Sequence, residues 1–259
     1  MIIVKDLWKK FGDLEVLQGF NLEVQKGEIL VILGRSGVGK SVLLRHIIGI
    51  EKPDKGTVEV NGVVISELKQ KDIYKAVMNM GMLFQGGALF DSMNVLDNTG
   101  FYLSQHKNPE TNKRYKKEEI KQKVVEALKM VDLEEAIEKM PSDLSGGMKK
   151  RAALARLIVY RPQILLYDEP TTGLDPITAQ QINELIVKTQ NELKGTSIIV
   201  THDIHSALYV ADRIALIKDG KIAYIAEPSA FMEIDDPLIK VLKETLTHHP
   251  QARKEQKDV

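Results

Sequence analysis

A glycine-rich segment, GRSGVGKS at residues 34–41, directly follows an apolar run at residues 29–33. Residues 42–48 then carry apolar side chains at helical spacing. A buried strand that leads into a glycine-rich loop and then a helix is the setting that the pattern G-x-x-x-x-G-K-S/T requires. Glycines let backbone N–H groups curl around a phosphate, and the helix presents its positive end to that anion. The segment therefore predicts a chain that binds a nucleoside triphosphate.

The end of this loop and a later acidic strand predict a magnesium site beside it. Lys40 is expected to reach the β- and γ-phosphates, and the Ser41 hydroxyl to ligate Mg²⁺. Residues 164–169, ILLYDE, supply the acidic strand that such a loop needs. Asp168 is expected beside the loop, because open α/β sheets bind ligands at the carboxyl ends of their strands. Glu169 is expected to orient a water for attack on the γ-phosphate. The alternative is that both acids are solvated surface charges.

Composition restricts the kinds of partner. The 259 residues allow one large or two small domains. Basic and acidic residues are equal in number, 36 each, so nothing favours nucleic acid or an anionic membrane surface. The chain has no cysteine, which excludes disulfides and thiolate metal sites. We recognise no signal peptide and no apolar run long enough to span a bilayer, so a membrane role is expected only through a partner.

The first third of the chain has the apolar patterns that are typical of strands. Alternating or apolar segments at residues 2–7, 20–24 and 57–65 predict an antiparallel sheet beside the nucleotide-binding strand. Asn61-Gly62 supplies the positive φ angles that a two-residue hairpin turn needs.

The apolar spacing becomes helical in the middle of the chain, and after that strand-like and helix-like segments alternate. Helical spacing at residues 118–130 indicates a helical insertion over about residues 86–160. Strand-like segments at residues 164–167 and 197–200 enclose a helical segment at 178–193. This β–α–β alternation predicts a parallel sheet with right-handed crossovers.

The last part of the chain is predicted to form a final hairpin, short helices and a polar tail. A hairpin is expected over residues 214–225, followed by one or two short helices within 229–247. Residues 248–259 are polar and are expected to form a mobile tail. His248 and His249 are interpreted as part of that tail rather than as metal ligands.

Four further segments carry little information singly. LSGGM at residues 144–148 precedes a helix and offers a hydroxyl and open amides to an anion. Gln85 follows an apolar segment, residues 173–176 (GLDP) follow the acidic strand, and His202 follows the next strand. A lone Gln is usually a surface amide, and a lone His at a strand end usually a core or rim residue. Their order and spacing together are the strong signal.

This constellation resembles the nucleotide-binding subunit of ABC transporters over about residues 2–227. The resemblance implies an α/β fold: an ABC-type P-loop ATPase with a RecA-like parallel-sheet core, an antiparallel β subdomain and a helical signature subdomain. It implies an ATPase domain at residues 1–228, with the helical subdomain at about 86–160, and a C-terminal extension at 229–259. It also implies a homodimer with ATP at the interface, Mg²⁺, and a membrane permease as partner.

The resemblance assigns a role to each matching residue. The implied catalytic residues are Glu169, His202 and Gln85, and the implied Mg²⁺ ligands are Ser41, Gln85 and Asp168. The implied ATP-contacting residues are Phe11, Gly34, Ser36, Gly37, Gly39, Lys40, Ser41, Ser145, Gly146, Gly147 and Asp175. Phe11 stands where the family places an aromatic that stacks on adenine; the alternative is that it belongs to the core.

Two phrases narrow the resemblance to the ATPases of MCE (mammalian cell entry) lipid transporters. They are MLFQGGALFDSMNV at residues 82–95 and MKKRAALAR at residues 148–156. The first includes, in that family, part of the groove for the permease's coupling helix; the alternative is that its apolar residues only pack the insertion. This resemblance implies phospholipid transport, an MCE-domain substrate-binding protein, and a place at the cytoplasmic face of the inner membrane through the permease.

Two rival interpretations come from the same superfamily. A non-transport ABC ATPase of DNA repair or translation would carry a coiled-coil insertion or two ATPase sets, and the sequence has neither. A transporter ATPase that serves another substrate, such as an amino acid, would share every catalytic residue. Only the two phrases argue against it.

Overall fold

The structure is a computed structural model that describes residues 1–247. The predicted polar tail at residues 248–259, and the interpretation of His248 and His249 within it, lie outside the described residues.

Ten strands and nine α-helices make up the described chain. The strands are β1 (Ile2–Phe11), β2 (Leu14–Val24), β3 (Ile29–Leu33), β4 (Lys55–Val60), β5 (Val63–Val64), β6 (Met80–Leu83), β7 (Ile164–Asp168), β8 (Thr196–Thr201), β9 (Arg213–Lys218) and β10 (Lys221–Ala226). The helices are α1 (Lys40–Ile47), α2 (Gln70–Val77), α3 (Val95–Gln105), α4 (Lys117–Met130), α5 (Gly146–Ile158), α6 (Pro176–Leu193), α7 (Ile204–Val210), α8 (Pro228–Met232) and α9 (Pro237–Thr247).

A six-stranded sheet in the order β10-β9-β3-β8-β7-β6 forms the centre of the fold. All neighbouring pairs are parallel except β10–β9. Strand β3 is buried on both faces, with Val31 in a first hydrophobic cluster and Ile32 in a second. Leu33 pairs with Thr201 and Asp168 with Val200, so β3, β7 and β8 end at the same edge of the sheet. The segments that follow these strands therefore meet at this edge.

The early strands form a separate antiparallel sheet in the order β2-β1-β4-β5. Its apolar side chains share the second cluster with α1 and one face of the six-stranded sheet. The β4–β5 turn has φ 50° at Asn61 and 83° at Gly62. The predicted antiparallel sheet and its turn chemistry are therefore confirmed.

Helices α3, α4 and α5 pack against one another in the middle of the chain. Within the predicted insertion, residues 86–94 are not helical. The buried Asn98 side chain holds this segment, since its Nδ2 donates to the carbonyls of Phe90 (3.0 Å) and Met93 (2.8 Å) and its Oδ1 accepts from Phe90 N (2.8 Å). A side chain thus supplies the hydrogen bonds that a helix would otherwise make.

The C-terminal helices α8 and α9 pack on the core rather than away from it. Phe231 of α8 and Ile239 of α9 are fully buried in the first hydrophobic cluster. Within residues 1–247, we find no helix with both the length and the apolar character needed to cross a bilayer.

Candidate nucleotide site

A cavity of about 440 Å³ opens where β3, β7 and β8 end. It brings together eight of the residues that the sequence singles out: Ser36, Gly37, Gly39, Lys40, Ser41, Gln85, Glu169 and His202. Gly34 contributes its carbonyl, which accepts a hydrogen bond from Lys40 Nζ at 2.8 Å. Asp168 joins the site through Ser41, as described below.

The loop after β3 reaches the cavity because of its glycines. Gly39 has φ 105°, which side chains rarely tolerate, and a Cβ there would lie 2.8 Å from Val16 Cγ1. Helix α1 begins at the next residue, Lys40, and no side chain caps its N-terminus. Its first backbone N–H groups therefore remain available to an anion.

The two acidic residues at the end of β7, Asp168 and Glu169, contact different partners. Asp168 accepts a hydrogen bond from Ser41 Oγ at 2.7 Å. Glu169 has φ 48°, a left-handed conformation that turns the chain between the two carboxylates. Both are buried, each 7% exposed, so the alternative of solvated surface charges is wrong.

The Glu169 carboxylate connects the loop to the end of β8. Its Oε1 lies 3.1 Å from Lys40 Nζ. Its Oε2 lies 2.8 Å from His202 Nδ1 and accepts a hydrogen bond from Thr172 Oγ1 at 3.0 Å. Two residues that are distant in sequence, Lys40 and His202, thus contact the same carboxylate.

Burial also sets the electrostatics of the acidic pair. Desolvation raises the pKa of Asp168 above its ordinary value, while the hydrogen bond from Ser41 acts in the opposite direction. The positive charges of Arg45 and Lys40 also lower the pKa of Asp168 and so favour its ionised form.

The signature residues lie apart from the cavity. Ser145 caps α5, since its Oγ accepts a hydrogen bond from Met148 N at 3.3 Å, and it is exposed together with Gly146. Gly147 is tightly placed, because a Cβ there would lie 2.6 Å from Thr178 Cγ2. None of the three lines the cavity.

Asp175 and Phe11 also lie outside the cavity lining. Asp175 caps α6 by accepting hydrogen bonds from the backbone N–H groups of Ile177 (3.1 Å) and Thr178 (3.0 Å). Phe11, at the end of β1, is 45% exposed, with Lys9 Nζ 5.2 Å from its ring centroid. The alternative that Phe11 belongs to the core is therefore wrong.

Sequence reasoning missed several residues at this site. Val16, Val42, Arg45 and Thr172 line the cavity, and no periodicity in their segments singles them out. Lys150 is buried and contacts the carbonyl of Gln85. Helical spacing was a usable signal here, because Lys150 lies three and four residues before the buried Ala153 and Leu154.

Comparisons with known proteins agree with this geometry. The profile of the family described as ABC transporter matches residues 17–172. The probable ribonucleotide transport ATP-binding protein mkl of Mycobacterium leprae is 37% identical over 257 residues, 99% of this chain and 72% of the relative. The intermembrane phospholipid transport system ATP-binding protein MlaF of Haemophilus influenzae is 39% identical over 243 residues, 94% of this chain and 89% of the relative. Other relatives at 37–39% identity are named for import of methionine, Fe(3+) ions and sulfate/thiosulfate.

A solved structure has a similar fold over most of this chain. The dimeric post-hydrolysis state of the ATP-binding cassette MJ0796, bound to ADP and Pi, superposes with a TM-score of 0.79 at 31% identity. The match covers 88% of this chain and 99% of that one. The predicted ABC-type P-loop fold is thus confirmed. This chain belongs to the ABC transporter family and is an ATP-binding, ATP-hydrolysing subunit.

Proposed function

We propose that this chain hydrolyses ATP between two copies of itself and thereby powers phospholipid transport through an MCE-type permease complex. The contact of one buried carboxylate, Glu169, with both Lys40 and His202 carries the catalytic part of this proposal. Residues 1–228 are the proposed ATPase domain, with the helical subdomain at about 86–160 inserted in it.

Four side chains of the cavity, Lys40, Glu169, His202 and Thr172, have a task in this reaction. Lys40 moves from the Gly34 carbonyl and Glu169 to the β- and γ-phosphates, since an ammonium favours these anionic oxygens. Glu169 accepts the proton of the attacking water while the bond between the γ-phosphorus and the leaving ADP oxygen breaks. His202 and Thr172 hold the second oxygen of Glu169 and so fix the direction of the first.

Asp168 at the end of β7, together with Ser41 of α1 and Gln85 after β6, suits magnesium. Ser41 Oγ and Asp168 lie in hydrogen-bond contact, and Gln85 lines the same cavity. Hydroxyl, carboxylate and amide oxygens are hard ligands, and Mg²⁺ usually takes one or two carboxylates together with substrate phosphates. Bound Mg²⁺ would neutralise charge on the phosphates.

The exposed signature segment supports a composite site. Ser145, Gly146 and Gly147 begin a helix whose N-terminus is suited to an anion. In a head-to-tail pair these residues of one copy, with its Asp175, complete the site around the γ-phosphate bound by the other copy. The single set of motifs makes a twofold homodimer the simplest assembly, and the MJ0796 cassette is itself dimeric.

Docking to a permease is proposed for residues 85–95. Phe84 precedes this segment and Phe90 lies within it, and they are 38% and 40% exposed, which suits a partner helix. The phrases at residues 82–95 and 148–156, together with the MlaF relative, favour phospholipid as substrate. The chain is then held peripherally at the cytoplasmic face of the cell membrane, with an MCE-domain substrate-binding protein in the same system.

A transporter ATPase for another substrate is the alternative. The relatives named for methionine, Fe(3+) and sulfate import share a similar degree of identity. The experiment is to purify the chain with its permease, reconstitute the complex and measure phospholipid transfer beside the ATPase rate. Transfer of an amino acid or ion with no movement of lipid would contradict the phospholipid assignment.

A charged substitution tests the docking segment. Leu89 packs against the core, so the more exposed Phe90 is the better site. Phe90→Asp should abolish complex assembly and lipid transfer while the isolated chain stays folded, because the carboxylate would be buried only against the partner. Val63→Asp, at a 42% exposed position on β5, is the matched control and should leave both intact. Unchanged assembly in Phe90→Asp would overturn the docking segment.

A further inference from the structure

Lys150 of α5 is a buried lysine that reaches across to the catalytic edge of the sheet. It is 7% exposed. Its Nζ donates to the backbone carbonyl of Gln85 and lies 3.4 Å from the backbone carbonyl of Glu169. One ammonium thus contacts the main chains of two residues that come from different strand ends.

Burying this cation is unfavourable unless its surroundings compensate. Desolvation lowers the pKa of Lys150, and the charges of Asp168 and Glu169 act in the opposite direction. The preceding residue, Lys149, is exposed on the same helix. Burial of the Lys150 ammonium costs free energy, whereas the ammonium of Lys149 stays in solvent. Lys149 therefore offers a matched control for Lys150.

The main chain of Glu169 needs support from its surroundings. Its φ of 48° is unfavourable for a residue with a side chain. Its N–H donates to the Val200 carbonyl of β8 at 2.9 Å, and its carbonyl accepts from Lys150. The peptide on either side of Glu169 is thus held by β8 and by α5.

We propose that Lys150 is a positioning residue that holds the Glu169 main chain and the Gln85 loop at fixed places relative to α5. Without this ammonium the Glu169 carboxylate would lose its fixed direction, and hydrolysis would slow. This inference rests on the general-base role proposed for Glu169.

The test compares Lys150→Met, which keeps an unbranched apolar side chain and removes the ammonium, with Lys149→Met as the matched control. Lys150→Met should lower kcat roughly 10- to 100-fold, as displacement of a catalytic group does. The Kd for ATP should stay within about twofold, because Lys150 does not line the nucleotide cavity. Lys149→Met should leave both quantities unchanged. A kcat for Lys150→Met equal to that of the control overturns the inference.

A double-mutant cycle separates positioning from general destabilisation. If Lys150 acts through Glu169, then Lys150→Met should have little further effect on single-turnover hydrolysis in a Glu169→Gln background. Losses that multiply in the double variant overturn the inference. If Lys150→Met does not fold, Lys150→Gln, whose shorter side chain cannot span both carbonyls, replaces it in the same cycle with the same outcomes. Near wild-type hydrolysis by Glu169→Gln alone contradicts the proposed function instead.

Discussion

The phosphate loop and the signature segment both end in a helix N-terminus, yet their surroundings differ. Helix α1 begins after Gly39 without a side-chain cap and borders a cavity, where Lys40 already contacts Glu169. Helix α5 begins after Ser145, whose hydroxyl caps its own helix and which is exposed. The first region has its chemical partners within the chain, whereas the second presents a hydroxyl and a helix N-terminus to solvent. The difference suggests that the signature obtains its ligand from another molecule.

The largest effect is expected from a substitution in the signature segment, which tests whether that segment binds a ligand held by another copy. Ser145→Arg should abolish ATP-dependent dimerisation, because a bulky cation would fill the space proposed for the other copy's γ-phosphate. ATP affinity of the monomer should change by no more than about twofold, since the phosphate loop is untouched. Sedimentation with and without ATP measures the dimer, and Ser104→Arg on the exposed face of α3 is the control. A persistent dimer would make Ser145 a helix cap only.

The next largest effect is expected within the cavity. Glu169→Gln should lower the rate of ATP hydrolysis by ~10²-fold or more, because the amide cannot accept the proton of the attacking water. ATP binding should remain, and the ATP-bound dimer should accumulate. Steady-state ATPase assays measure the loss, and Glu192→Gln, an exposed site on α6, should behave as wild type. Hydrolysis near the wild-type rate would remove Glu169 from the catalytic role.

A smaller effect is expected at Phe11, which belongs to neither region. If its exposed ring stacks on adenine, Phe11→Ala should weaken ATP binding about 5- to 100-fold, the range that loss of one stacked base contact produces. Isothermal calorimetry on the monomer gives the Kd. Leu14→Ala, at another exposed position of the same hairpin, should leave the Kd unchanged. Equal affinities in the two variants would remove the stacking role.

The smallest effect concerns the cap itself. Ser145→Ala should lower the free energy of unfolding of the monomer by about 1 kcal/mol, because the first turn of α5 loses its side-chain acceptor. Ser142→Ala, at an exposed position that caps no helix, is the control. Chemical denaturation measures both. No loss in Ser145→Ala would contradict a stabilising role for this cap.

Local patterns were sufficient wherever the chemistry is local. The phosphate loop, the buried strand before it, the acidic end of β7 and the Asn61-Gly62 turn depend on residues that are adjacent in the chain. Backbone preferences and apolar periodicity act over the same short range, which is why these elements were predictable. Helix α2 escaped prediction, since Ile73 is its only buried residue, and the half-exposed Tyr74 beside it blurs the helical period.

The sequence by itself determined the nucleotide chemistry of this protein: a loop that can surround phosphate, a carboxylate strand beside it and a signature segment in the right order. Only the tertiary structure decided which side chains meet. The contact between Glu169 and His202 depends on β7 and β8 being neighbours in register. The contacts of Lys150 with the carbonyls of Gln85 and Glu169 depend on how α5 packs against the sheet. The order of strands and the packing of helices arise from burial across the whole chain, so no local pattern in either segment specifies the partner.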